Sequence, residues 1–234
     1  MKITLFIWRV RGRSIPFAIV RMALDRFYLR KVKGLAFFKL LGTGKGETFT
    51  PSDADLYQWG LLVVGSEAAI SQVKSSQLAK RWRLRSIESA IIDLQTLSSH
   101  GQWARKAPFD TEGKTRSNTD YTGPVAAITR ARIKWQKNII FWRSVPPVIS
   151  ALDEAPGLIA AIGIGEAPIG LQGTFSLWSD SQSLKNFAYK SSAHKEVITA
   201  TKEIGWYSEE LFARFAVERA SGTVNGIDIG HKAD

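Results

Sequence analysis

Histidine is the residue of this sequence with the widest chemical range, and the chain contains three: His100, His194 and His231. No cysteine is present, which excludes thiolate nucleophiles, zinc–thiolate sites, iron–sulfur clusters and cysteine-ligated haem. His100 follows a predicted strand in a turn, and His231 lies in a terminal segment that we expect to fray. His194 is therefore the candidate ligand, because a lone imidazole can hold a haem iron from its proximal side.

His194 lies within the segment Ser181–Glu203, whose pattern predicts a helix that ends at Gly205. Phe187 and Val197 share its face at helical spacing, so the imidazole would point toward the sheet and any cavity beneath it. The pattern alone favours a packed histidine with no special role. An axial ligand of haem is the alternative.

A haem pocket would also need cations for the propionates and aromatic walls for the porphyrin. Arg143 and Arg214 are the candidate cations and the only candidates for a catalytic role, which is otherwise unassigned. The candidate aromatic walls are Trp142, Trp178, Phe187, Trp206 and Phe215. Each of these residues could equally be a packed aromatic side chain or a surface ion-pair partner.

Other catalytic patterns are weak. The glycine-rich segment 42–46 lacks the spacing of a phosphate-binding loop and joins two predicted strands, so we interpret it as a hairpin turn. Gly163 and Gly165 have the same interpretation. Glu209 and Glu210 are adjacent, but neighbours on a strand point to opposite faces, which argues against a carboxylate pair for acid–base catalysis.

Positive charge is concentrated in one half of the chain. Of the net charge of +11, residues 1–124 carry 20 Lys and Arg against 10 Asp and Glu, and residues 125–234 carry 12 against 11. Such a surface could meet an anionic membrane, an acidic protein or nucleic acid, or it could simply keep the protein in solution. Aromatics lie among these charges, but they fall at helical spacing that suits core packing, so we do not expect nucleic-acid binding.

The hydrophobic pattern predicts two consecutive repeats of one structural unit, each with the element order β-α-β-β-α-β. Strands of the first unit are predicted at Ile3–Trp8, Leu35–Leu41, Leu56–Val64 and Ile87–Leu97, and its second helix begins at Ser66 and continues through Leu78. The first helix begins at Ser14 and ends at Gly34. The apolar face that we expect this helix to turn toward the core consists of Phe17, Val20, Ala23, Leu24 and Phe27.

The second unit repeats this order. Its strands are predicted at Val125–Trp135, Leu158–Ile164, Leu171–Trp178 and Glu210–Glu218, with helices at Asn138–Leu152 and Ser181–Glu203. The segment Ala104–Tyr121 between the units is polar and rich in Gly, Thr and Ser, which predicts a linker.

The fold class that follows is α+β, with two ferredoxin-like β-α-β-β-α-β repeats in a single domain. We expect repeat 1 at about 1–103, the linker at about 104–123, repeat 2 at about 124–222 and a tail at 223–234. The two sheets could pack face to face or curl into one barrel, with the helices outside and an internal apolar cavity for a ligand. Two independent domains on a flexible linker are the alternative, which the small core of each half disfavours.

Several blocks of the sequence resemble the spheroidene monooxygenase family. The resemblance covers most of residues 34–222 and is poor over the N-terminal strand, the first helix and the linker. The blocks that carry it are Phe38–Gly44, Gly46–Pro51, Phe141–Pro146, Gly163–Pro168, Gln172–Trp178, Ala193-His194 and Gly205–Phe215.

This resemblance implies a haem-dependent monooxygenase with a fold of the dimeric α/β-barrel type. Members insert oxygen from O₂ into an acyclic carotenoid, through a hydroxylated stage to a ketone, with electrons from reduced ferredoxin or a similar donor. The expected cofactor is heme b. The resemblance also favours His194 as the axial ligand of the iron, since this histidine lies in a matching block.

The resemblance does not fix the substrate. A haem enzyme acting on a different secondary metabolite, or a haem- or lipid-binding protein without turnover, are the alternatives. The basic first half would then contact anionic lipid or an acidic ferredoxin. No apolar run approaches the ~20 residues of a membrane-spanning helix, so we expect a cytoplasmic protein, with peripheral membrane contact and a homo-oligomer left open.

Overall fold

The computed structural model describes residues 1–44, 53–110, 121–133, 152, 154–166, 173–190 and 207–232. In chain order the strands and helices are β1 Lys2–Val10, α1 Ile15–Leu29, β2 Leu35–Gly44, β3 Ala54–Gly65, α2 Glu67–Ser75, α3 Gln77–Arg85, β4 Ser86–Gly101, β5 Val125–Ile133, β6 Leu158–Gly165, β7 Gly173–Trp178, α4 Ser181–Lys190, β8 Tyr207–Val224, β9 Ile227–Asp228 and β10 His231–Lys232. The predicted helix Asn138–Leu152 and the predicted helical residues beyond Lys190 lie outside the described residues.

Strands β1 to β8 form one closed antiparallel barrel. Each repeat contributes a four-stranded sheet, in the order β4-β1-β3-β2 for the first and β8-β5-β7-β6 for the second. The two sheets join at both edges. Eleven residue pairs connect β4 with β8, and Gly42–Gly44 of β2 pair with Gly163–Gly165 of β6. The predicted α+β class with two ferredoxin-like repeats is confirmed, and of the two predicted arrangements of the sheets the barrel is the one formed.

Alternation along the strands explains why both faces of the barrel are apolar. In β1, Ile3, Leu5 and Ile7 point into the barrel, whereas Phe6 and Trp8 point out toward the helices. Apolar side chains from all eight barrel strands pack along the barrel axis. The predicted ligand cavity stays a prediction.

The predicted core face of α1 is wrong. The helix buries Ala18, Met22, Asp25 and Leu29, and it exposes most of the apolar face that its sequence would assign to the core. The physical reason is a polar anchor. The carboxylate of Asp25 is fully buried, where it accepts a hydrogen bond of 2.8 Å from Nε1 of Trp82 and pairs with Arg21. A buried carboxylate must keep such partners, so this anchor fixes the rotation of the helix.

The helix predicted from Ser66 through Leu78 is two helices. The side chain of Ser66 caps α2 by accepting a hydrogen bond from the amide of Ala69, and the side chain of Ser76 caps α3 through the amide of Ala79. Ser76 has an extended backbone, with ψ of 159°, which ends one helix and begins the next.

Two segments predicted to be loose belong to the packed structure. Trp103 and Phe109, at the boundary and inside of the predicted linker, are buried in the barrel interior, where Phe109 meets Phe215 edge-on at 4.9 Å between ring centroids. The tail pairs with β8 through β9 and β10, so the expectation that His231 frays is wrong. Large apolar side chains in both segments gain more by burial than the chain loses by ordering.

No helix in the described part of the chain is long and apolar enough to cross a bilayer.

Candidate functional site

The structure describes four of the eight candidate site residues. Trp178 ends β7, Phe187 lies on α4, and Arg214 and Phe215 lie on β8. Phe215 points into the barrel interior, on the opposite face of the sheet from the other three. The remaining candidates lie outside the described residues, and their assignments stay predictions: His194, Arg143, Trp142 and Trp206.

Trp178 and Phe187 are in direct contact. The Trp178 ring is fully buried on the helix-facing side of β7, and the centroid of the Phe187 ring lies 5.4 Å from it at an interplanar angle of 33°. Nε1 of Trp178 donates a hydrogen bond of 2.9 Å to Oγ of Ser176. This bond satisfies the indole N–H and fixes the orientation of the ring.

The start of α4 holds Phe187 in place over the sheet. Asp180 accepts hydrogen bonds from the amide of Ser183 at 2.7 Å and from its hydroxyl at 3.0 Å. The backbone hydrogen bond from Ser183, followed by the side-chain bonds from Ser179 and Ser183, lowers the pKa of Asp180 below its usual value. The carboxylate is thus the N-terminal cap of α4, which sets the direction in which the helix leaves β7.

Arg214 lies in a row of small residues that crosses the helix-facing side of the second sheet. Ala127 on β5 is the cross-strand partner of both Arg214 and Ser176, and Ser176 in turn pairs with Ala161 on β6. Nε of Arg214 donates a hydrogen bond of 3.0 Å to Oγ of Ser98. This row of paired residues therefore begins with a cation on β8 and continues with three small side chains on β5, β7 and β6. Together with Ala216, we call these small side chains the small-residue floor.

The neighbouring rows define the limits of this small-residue floor. On one side, Val125 pairs with Trp178 on β7 and with Ala216 on β8. On the other side, Thr129 pairs with Thr174 and with Phe212. The floor is thus bounded by the Trp178–Phe187 pair on one side and by polar threonines on the other, with Arg214 at its edge. We call the surface that consists of this floor and Trp178 the second helix-facing side.

A separate cluster of charges lies at one mouth of the barrel. The guanidinium of Arg130, almost completely buried, donates to Glu209 at 2.6 Å and to Glu166 at 2.9 Å. Glu166 also accepts a hydrogen bond from Nε1 of Trp103 at 2.6 Å and pairs with Lys39. Strands of both repeats therefore meet in this cluster.

Both carboxylates of this cluster remain ionised at neutral pH. Burial alone would raise the pKa of Glu166, but hydrogen bonds from Lys39 and Trp103 and the nearby positive charges lower it below its usual value. Burial opposes the ionisation of Glu209 in the same way, and the amides of Arg105 and Ala104 together with Arg130 lower its pKa. Carboxylates held in this state tie the barrel end together and are poor proton donors.

Sequence reasoning missed this cluster. The signal was present in β5, where Arg130 follows Ala126 and Ile128 at the inward-facing parity of an apolar strand. A charge at such a position has to find partners inside the protein. Neither the charge totals nor the motifs point to it. Within the described ranges, no group of three His, Asp or Glu side chains could hold a metal ion.

Three curated relatives cover most of the chain. It is 36% identical over 228 residues to the spheroidene monooxygenase of Rhodobacter capsulatus, an alignment that spans 96% of this chain and 93% of that protein. It is 35% identical over 208 residues to the spheroidene monooxygenase of Cereibacter sphaeroides, spanning 88% of this chain and 62% of that longer protein. For the protein of the same name from Rubrivivax gelatinosus the identity is 30%, over 82% and 73% of the two chains. No family model matches the sequence.

Solved structures support the fold. An aldoxime dehydratase in complex with butyraldoxime superposes with a TM-score of 0.58 at 13% identity, over 92% of this chain and 79% of that one. A second aldoxime dehydratase gives 0.57 at 10% identity, over 92% and 80%. At these identities the likeness concerns the arrangement of strands and helices alone.

Proposed function

The chain belongs to the spheroidene monooxygenase family, and from this premise we propose that it inserts oxygen from O₂ into an acyclic carotenoid, by hydroxylation that leads to a ketone. Monooxygenase activity follows from the family. The carotenoid, the cofactor and the residues that hold it are our proposals.

The observation that carries the proposal is the small-residue floor of the second helix-facing side. Ala127, Ala161, Ser176 and Ala216 replace the large side chains that a sheet normally packs against its helices. Small side chains under an overlying helix leave room for a flat apolar group. We propose that this group is heme b.

The residues around the floor fit such a cofactor. Trp178 and Phe187 offer stacked aromatic faces at its border, and Arg214 brings a guanidinium that can bind a propionate in a charge-assisted hydrogen bond. His194 would hold the iron, Trp206 would add a further aromatic wall, and Arg143 would be a second partner for the propionates. These three assignments rest on the family blocks in which the residues lie, or on their chemistry.

The cofactor and the protein chain have different roles in the proposed reaction. Bound haem supplies the activation of O₂. The chain supplies the rest: apolar and aromatic side chains exclude water, an apolar slot orients a long substrate, and Arg214 holds the cofactor by its edge. Electrons come from an external donor, for which reduced ferredoxin is our proposal on the ground of the family resemblance.

Absorption spectroscopy tests the cofactor. The purified protein is titrated with hemin beside the variants His194→Ala and His100→Ala. We expect a saturable Soret band for the wild type and for His100→Ala, and a shifted or missing band for His194→Ala. A protein that takes up no hemin would overturn the haem proposal.

Turnover tests the reaction. The haem-loaded protein is incubated with an acyclic carotenoid, a reduced electron donor and O₂. The products are separated by chromatography and their masses are measured by mass spectrometry. We expect products heavier by oxygen that derives from ¹⁸O₂. Haem uptake with no product from any carotenoid would instead indicate an enzyme with another substrate or a carrier.

A further inference from the structure

Helix α1 carries an apolar stripe on its solvent side. Val20, Leu24 and Phe27 follow one another at spacings of four and three residues, so they form a single ridge. Their exposed fractions are 53%, 46% and 60%. The buried side of the helix is formed by other residues, Ala18, Met22 and Leu29 among them.

The exposure of this stripe is built into the fold. The Asp25–Trp82 hydrogen bond holds the opposite side of the helix against α3, and Arg21, one turn before Asp25 on the same helix, pairs with the buried carboxylate. Rotating the stripe inward would carry Asp25 away from Trp82, leave the indole N–H without its acceptor, and expose Met22 and Leu29 in place of the stripe.

Positive charges surround the stripe. Between residues 11 and 46 the only acidic residue is Asp25, and it is buried. The exposed cations of this segment are Arg11, Arg13, Arg26, Arg30, Lys31 and Lys33.

Helix α3 extends the same surface. The guanidinium of Arg85 on α3 stacks on the ring of Phe17 on α1, at 4.2 Å from the ring centroid, and this contact joins the two helices. Leu84, the residue before Arg85, is 74% exposed. The other exposed cations of α3 are Lys80, Arg81 and Arg83.

We infer that α1 and α3 form a docking surface for an anionic lipid bilayer. An exposed apolar ridge between cations is the arrangement with which helices lie in a membrane interface, where apolar side chains enter the acyl boundary and basic side chains meet headgroups. An open groove of about 330 Å³ adjoins the end of α1 and combines Leu35, Phe38 and Arg30, so the same mixture of apolar and basic groups continues beyond the helix.

Charge decides against a second copy of the chain as the occupant. A symmetric contact through this surface would bring the cations of one copy against those of the other, with no exposed carboxylate on residues 11–46 to compensate them. An acidic protein would satisfy the cations, but charge alone gives the apolar stripe no function. An anionic bilayer accounts for both the cations and the apolar stripe.

The docking surface also deepens the proposed function, on which this one consequence rests. A long apolar substrate dissolves in membranes and not in water, and a bilayer held against the first repeat places the enzyme at its source. The binding itself requires neither haem nor turnover, so its failure and the failure of the proposed function are distinguishable.

Co-sedimentation with lipid vesicles tests the inference. The full chain is mixed with vesicles of phosphatidylcholine, with and without phosphatidylglycerol, and the bound fraction is measured at low and high salt. We expect binding to the anionic vesicles and at least tenfold weaker binding to the neutral ones. A wild-type protein that stays in the supernatant with both would overturn the inference.

Two sets of substitutions separate the apolar and the basic contribution. Arg30→Gln, Lys31→Gln and Lys33→Gln together are expected to weaken binding by about 100-fold, since each cation near an anionic surface contributes to the attraction. Val20→Ser, Leu24→Ser and Phe27→Ser together are expected to weaken it by at least about tenfold through the loss of inserted apolar area. Ile227→Ser with Arg219→Glu, an exposed pair on β9 and β8, is the matched control and should bind as the wild type does.

The serine variant also decides between occupants. Vesicle binding that depends on salt but not on the stripe would overturn the bilayer in favour of an acidic protein. A dimer in sedimentation equilibrium that the serine substitutions dissociate, without vesicle binding by the wild type, would overturn it in favour of a second copy. A circular dichroism spectrum and a urea denaturation midpoint equal to those of the wild type show that the variant is folded.

Discussion

The two repeats share one topology and differ in what their sheets present to the helices. The central row of the first sheet runs from Ile91 through Phe6 and Leu61 to Leu40, all large. The corresponding strands of the second sheet present Arg214, Ala127, Ser176 and Ala161.

The helix layers above these sheets differ in the same sense. Trp82 of α3 stacks on Trp8 at 5.1 Å and approaches Trp59 at 6.4 Å, so the first layer is filled by indole rings. In the second layer, the Trp178–Phe187 contact stands at the border of a floor of small side chains. Among the described residues, the helix-facing side of the first sheet thus presents large side chains and that of the second sheet presents mostly small ones. That the second repeat holds a ligand on this side is our proposal.

The largest effect is expected from emptying the filled side. Trp8→Ala removes a ring that stacks on both Phe6 and Trp82, and it should lower the free energy of unfolding by about 3–5 kcal/mol. Urea denaturation measures the change. The half-exposed Tyr57→Ala is the control and should stay within about 0.5 kcal/mol. Hemin affinity should not change in folded Trp8→Ala, and its loss there would contradict the division of labour between the two repeats.

The reverse substitution fills the open side. Ala127→Trp gives the second sheet the kind of side chain that Phe6 and Trp8 give the first, and we expect hemin affinity to fall by about 100-fold because the ring occupies the floor. A hemin titration followed at the Soret band measures it, with the exposed Ala36→Trp as control. Unchanged affinity in Ala127→Trp would mean that haem does not bind on this side.

A smaller effect is expected at the edge of the floor. Arg214→Gln should lower hemin affinity about tenfold, the size of one charge-assisted hydrogen bond to a propionate. The matched measurement uses a haem whose propionates are esterified. Its affinity should be the same for both proteins, and an equal loss for the two haems would show that Arg214 acts through packing.

The smallest effect concerns the junction between the repeats. The pKa values of Glu166 and Glu209 are lowered in the folded protein, so their stabilising contribution is present above their usual value of 4.5 and is lost as the pH falls through the folded pKa. The free energy of unfolding should therefore decline below about pH 4.5. Glu166→Gln with Glu209→Gln should flatten this decline, measured by urea denaturation at each pH, and a slope equal to that of the wild type would contradict the assignment.

Much of the fold was predictable because it depends on local pattern. Alternating apolar residues gave the eight barrel strands within a few residues of their ends, except β8, which runs to Val224, and the repeated order gave the two ferredoxin-like units. The family followed from blocks such as Gly163–Pro168 and Gly205–Phe215. Trp178 and Phe187 were each candidates by residue type, but their contact was not predicted, because it depends on how α4 packs against β7. The division of residues 1–234 into repeats, linker and tail as one domain stays a prediction.

Three features were decided by tertiary contacts. The rotation of α1 depends on a hydrogen bond between Asp25 and Trp82, 57 positions apart, and no amphipathic pattern contains that bond. The charge cluster joins Arg130 of β5, Glu209 of β8 and Glu166, the residue directly after β6, which become neighbours only when the barrel closes.

The small-residue floor has the same origin. Ala127, Ser176 and Ala161 are unremarkable in the chain, each an ordinary member of a strand. Strand register places them side by side, and only then do they form a continuous surface of small side chains. The sequence by itself determined which segments are strands and helices, because hydrophobic periodicity is local. Where the small-residue floor, the buried charges and the exposed stripe lie was decided by the tertiary structure, because each depends on side chains that distant parts of the chain bring together.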